Sequence, residues 1–75
     1  MEKWRIDLAK EALELALELD MNFDYNPQTQ GIVLMRNPDC KATQTVYLDW
    51  EEEEVKELFN QLKSSAYRLS NKTEI

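Results

Sequence analysis

Along residues 3 to 19 apolar side chains recur at helical spacing, strong helix formers fill the positions between them, and no Pro or Gly intervenes. That pattern predicts a first helix. The period then changes. "MNFDY" at 21 to 25 alternates apolar and polar residues, "IVLMR" follows, and "TQTVYLDW" alternates again, with Val46 and Leu48 on one face and Thr45 and Tyr47 on the other. Two Asn-Pro turns, "NPQTQG" and "NPDC", bracket the middle run; Asn suits the first turn position and Pro pre-sets the second. Strands are therefore predicted at about 21 to 25, 31 to 36 and 43 to 48. From Asp49 the helical period returns, and Val55, Leu58, Phe59, Leu62, Ala66 and Leu69 fall within an arc of about 100°.

The resulting order is α-β-β-β-α. It predicts an α+β fold: a single small domain over residues 1 to 70, built as a three-stranded antiparallel meander with two helices packed on one face, and a frayed tail over 71 to 75. The other sheet face is expected to be more open to solvent. Double-stranded RNA-binding domains share this order, but they imply lysines at the start of the last helix, and this chain has Glu51, Glu52, Glu53 and Glu54 there. Element order alone assigns no family.

The first helix departs most from an ordinary amphipathic pattern. Trp4, Ile6, Leu8, Ala9, Ala12, Leu13, Leu15, Ala16, Leu17 and Leu19 cover an arc of about 220°, whereas a helix resting on a sheet needs little more than about 100°. One neighbour cannot bury so much, so a second surface is expected on one shoulder: the last helix, another protein, or a second copy. Self-association through Trp4, Leu8, Leu13 and Leu17, as a homodimeric structural or adaptor subunit, is one expectation. It fails if both shoulders are filled within the chain. The remaining edge of the helix is acidic: Asp7, Glu11, Glu14 and Glu18 lie within about 60° of one another and span about 16 Å. Lys3 and Lys10 border that stripe.

Composition and charge narrow the functional classes. The chain has 75 residues, 43% hydrophobic and 32% charged, with 15 acids against 9 bases and no histidine, for a net charge of −6. It is apolar enough to fold, but at this size burial barely exceeds the cost of ordering, so association can supply much of the stability. The bases are scattered singly among acids, which argues against direct binding of nucleic acid or an anionic membrane. Cys40 is the lone cysteine, so an intrachain disulfide framework is excluded and a reducing, cytoplasmic setting is expected. The amino-terminal segment carries charges every few residues, unlike a signal peptide or a membrane span.

Candidate chemistry is sparse. Asp49 and Glu52 have the spacing of a capping box, and acids in a first helical turn meet the positive end of the helix dipole. Four consecutive glutamates fan around a helix at about 100° steps, which makes a charged tip and diverging carboxylates poorly suited to a hard cation. Asp20, Asn22, Asp24 and Asn26 alternate as in the opening of a calcium loop, yet Tyr25 stands where that loop needs glycine and Gly31 where it needs a bidentate glutamate. No metal or other cofactor is expected. With no histidine, no Gly-rich phosphate loop and no relay around Cys40, catalysis is not expected either.

Binding is what remains. The acidic residues Asp7, Glu11, Glu14 and Glu18, together with the tip at Glu51, Glu52, Glu53 and Glu54, are expected to dock on a basic protein partner. An inhibitor that occupies a nucleic-acid groove, mimicking the polyanion, is one form of such a module. Compact acidic domains are common among phage-encoded inhibitors, an association of type rather than of motif.

Overall fold

The computed structural model describes residues 1–37 and 39–70; the tail expected at 71–75 and Pro38 of the second turn lie outside them. Helix α1 spans Lys3–Glu18, β1 Met21–Asn26, β2 Gly31–Arg36, β3 Val46–Tyr47 and α2 Glu52–Ser70. The sheet is antiparallel in the order β1-β2-β3. Helix α1 lies over β1 and β2, and α2 over β2 and β3. Among the described residues no helix is long and apolar enough to cross a membrane.

The period-2 pattern decides which side of the sheet the helices cover. Cross-strand partners share a face, so the pairs Phe23↔Leu34, Tyr25↔Ile32 and Ile32↔Val46 put these side chains under the helices. Ile32, Leu34, Val46 and Leu48 are fully enclosed there, against Ala12, Leu15, Ala16 and Leu19 of α1 and Val55, Phe59, Leu62 and Ala66 of α2. The opposite face carries Asn22, Asp24, Val33, Met35 and Tyr47, and Tyr47 stacks on Trp50 with ring centroids 5.0 Å apart. Asn22 and Asp24 are exposed on that face.

The third strand is much shorter than the alternation predicts. Instead of 43 to 48, only Val46 and Tyr47 form a regular ladder, preceded by an isolated bridge from Met35 to Ala42. Between that bridge and the Ile32↔Val46 pair, two residues of β2 face three of the third segment, which is the signature of a β-bulge. Thr43 causes it. Its N–H donates to the Leu34 carbonyl, while its Oγ1 takes the Leu34 N–H in place of a backbone carbonyl and donates to Gln44 O. The side chain is thereby buried, and the extra residue restores Val46 and Leu48 to the core side.

The last helix also starts differently from the expected capping box. The Glu51 carbonyl accepts from Val55 N, so Glu51 holds the cap position and Asp49 lies in the preceding turn. Tyr47 O accepts from Trp50 N there, which delays the helix to Glu52 and removes Asp49 from reach of the N3 amide. Glu52, Glu53 and Glu54 still occupy the first turn, where the dipole favours them, and Glu52 pairs with Lys56 at 2.7 Å.

Gly31 is needed for space rather than for a turn. A Cβ there would sit 2.9 Å from Thr45 Cγ2 and 3.2 Å from Thr29 Oγ1. The left-handed positions belong instead to Asp20 after α1, Gln30 in the first hairpin and Cys40 in the second turn, with φ of 56°, 54° and 58°.

Candidate functional site

The two helices run in the same direction, because one antiparallel hairpin and a further antiparallel strand separate them. Trp4 accordingly lies near Lys56, early in both helices, while Glu11, Glu14 and Glu18 share a shallow groove of about 190 Å³ with Lys63 and Tyr67, late in α2. The acidic stripe therefore faces outward along the α1–α2 side. The tip formed by Glu51, Glu52, Glu53 and Glu54 sits at the end where α1 begins, and Asp7 is the stripe's member nearest to it. All eight carboxylates are exposed. Lys56 and Lys63 interrupt the surface between the helices.

One side chain fixes that end of the molecule. Arg5 lies over the Trp4 ring with its guanidinium carbon 4.3 Å from the centroid, and its Nη1 donates to the carbonyls of Leu48 and of Trp50, the latter at 2.6 Å. Its Nε donates to Glu2 at 3.1 Å. Hydrogen bonds from Trp4 and Arg5 hold the Glu2 carboxyl below its ordinary value. Arg5 thus joins the start of α1 to the turn that launches α2. Arg36 does the corresponding work at the far end, donating to Leu69 O at 3.0 Å while it pairs with Asp39.

The four residues expected to self-associate divide into two pairs. Trp4 and Leu8 pack against the core on the side toward α2, whereas Leu13 and Leu17 stand 44% and 71% exposed on the other shoulder, joined by Ile6 at 40%. This second shoulder overhangs β1. Met1, Ile6, Ala9, Leu13, Phe23 and Tyr25 line an open groove of about 280 Å³ between α1 and β1, with Lys10 on its rim.

Sequence reasoning missed the contribution of Phe23 and Tyr25, which alternation correctly puts on the helix side but which lie on an edge strand that no third neighbour covers. It also missed Arg5, since nothing in a helical pattern says that one arginine reaches across to residues 48 and 50. Among the described residues, no group of three or more His, Cys, Asp or Glu side chains is placed to hold a metal ion. Buried side-chain polar atoms among them all have hydrogen-bond partners. Comparison with protein-family models, with curated proteins and with solved structures returns no match to this chain.

Proposed function

We propose that the domain is a protein-binding module that presents the outer, acidic surface of its helix pair to a basic partner, acting by binding rather than by catalysis and in a cytoplasmic setting. One observation carries the reading: Asp7, Glu11, Glu14, Glu18, Glu51, Glu52, Glu53 and Glu54 are all exposed, on or immediately before two helices that run the same way and share one layer. With a net charge of −6 the field of the whole molecule adds to the local one, steering a cationic surface toward the helices. The stripe on α1 carries about one charge per 4 to 5 Å, against one per about 3.4 Å along a single nucleic-acid strand. That is sparser than a single strand or a duplex, at one per about 1.7 Å, so the form in which the module occupies a nucleic-acid groove rests on the sign of the surface rather than on matched spacing. The lone cysteine supports the cytoplasmic setting.

The test is a comparison of wild type with Glu11→Lys/Glu14→Lys as baits in the native cell extract. A partner held by the wild type at about 50 mM salt should be released well before about 200 mM and should not be retained by the charge-reversed bait. Retention that is equal for both baits and indifferent to salt overturns the proposal.

A further inference from the structure

The apolar shoulder of α1 lies directly beside an uncapped sheet edge. In β2 the backbone groups of Gln30, Leu34 and Arg36 bond toward the third strand, so those of Gly31, Val33 and Met35 face β1. Their partners Asn26, Asp24 and Asn22 turn inward, which leaves the N–H and C=O groups of Met21, Phe23 and Tyr25 pointing out of the sheet. The strand has no proline, lysine or bulge against edge pairing, and Asp24 is its one charged side chain. Above it, Ile6 and Leu13 line the groove over the same edge, and Leu17, one turn beyond Leu13, is exposed on the same shoulder of the helix.

We infer that this edge and shoulder bind a second copy of the chain around a twofold axis normal to the sheet, β1 pairing antiparallel with β1 and α1 with α1. This goes beyond the proposed acidic docking surface, which lies on the α2 side of α1 and meets the inferred interface at Glu14 on the crest of the helix. Three independent features of one chain fit such a pair. The first is distance: α1 lies between β1 and β2 and closer to β1, so strands about 4.8 Å apart put the two α1 axes about 8 Å apart, at the near end of helix-packing range. The second is position along the axis. An antiparallel α1 pair that sets Ile6 against Leu17 centres near Ala12, about 10 Å before the helix end, and the same distance into β1 at about 3.3 Å per residue reaches Phe23 or Asp24, the middle of that strand.

The third feature is charge. Along the solvent rim of the shoulder, Lys10 precedes Glu14, so the antiparallel arrangement sets each Lys10 opposite the other chain's Glu14, while a parallel one would set like against like. Strand register follows as well. Because the twofold preserves faces, Phe23 pairs with Phe23, Met21 with Tyr25, and Asn22 with Asp24; every outward backbone group then has a partner, and the two Asp24 side chains are not opposed.

Sedimentation equilibrium over a concentration series tests this, with circular dichroism to establish folding. The wild type should reach twice 8.9 kDa, and Leu17→Asp should remain a folded monomer. Lys10→Glu should weaken the dimer by about tenfold or more, and Lys10→Glu/Glu14→Lys should restore it, since the swap returns two opposite-charge pairs. The amides of Phe23 and Tyr25 should gain protection from hydrogen exchange as concentration rises, while those of Asn22 and Asp24 are protected throughout. A wild type that stays monomeric at millimolar concentration, or a dimer that neither Leu17→Asp nor Lys10→Glu weakens, overturns the inference.

Discussion

Replacing Arg5 with methionine keeps most of the aliphatic stem and removes every donor, so it isolates what the guanidinium does. The side chain is only 16% exposed. It loses hydrogen bonds to the carbonyls of Leu48 and Trp50, each worth about 1.5 to 3 kcal/mol when the donor is charged and the acceptor is shielded. Trp50 is exposed, so water can replace part of the second bond and the low end applies there. Loss of the stack on Trp4 adds about 0.5 to 1 kcal/mol, and the pair with exposed Glu2 little. The expected destabilisation is about 3.5 to 5.5 kcal/mol, a fall of at least about 14 °C in Tm for a domain of this size. Urea unfolding followed by tryptophan fluorescence suits the question, because Trp4 and Trp50 both lie at this clamp. Arg5→Lys should recover part of the loss, since one ammonium cannot reproduce the whole set of contacts. Arg5→Met within about 0.5 kcal/mol of wild type would refute the clamp and mean that the β3–α2 turn holds its shape unaided.

Three further outcomes follow from the packing. Thr43→Val should cost about 1 to 3 kcal/mol in urea unfolding despite its matched shape, because the Leu34 N–H is left buried without its acceptor. Gly31→Ala should cost about 1 to 3 kcal/mol, as Thr45 must move away from the new methyl, and Gly31→Ala/Thr45→Ser, which removes Thr45 Cγ2, should recover much of it. Hydrogen bonding from Arg36 holds the Asp39 carboxyl at about 2, below its ordinary 3.8. A depressed carboxylate stabilises the fold above its unfolded value and loses that contribution as pH falls through the folded one. The stability difference between wild type and Asp39→Asn should therefore be full above pH 4 and vanish toward pH 2, as read by thermal melts across that range.

The sequence made the element order legible because each element has an unambiguous period. Residues 3 to 19 contain nothing that stops a helix, and the two Asn-Pro turns punctuate the strands. Asn26 performs as its turn chemistry requires, accepting from Gln28 N at 2.9 Å. The third strand was legible only in outline. Thr43 and Thr45 both fit an alternating pattern, and the pattern does not say that the hydroxyl of Thr43 will displace a backbone acceptor and add a residue to the ladder. The capping box failed for a related reason: spacing identifies Asp49 and Glu52 as a possible pair, but the turn that positions Asp49 is set by the distant Arg5. The excess apolar arc of α1 was visible as an arc, and its division was not. Which shoulder stays uncovered depends on where α2 lands, and that is a property of sheet order.

The bulge at Thr43 has a consequence for how far chains can associate. It leaves the outer margin of β3 kinked, with two regularly laddered residues, so an arriving strand meets no straight template on that side. Only one border of the sheet can then be extended, and a twofold mate seated there consumes it in both molecules at once. On the inferred pairing, assembly would close at two chains, and open-ended stacking into fibres would be blocked by the same threonine that completes the core.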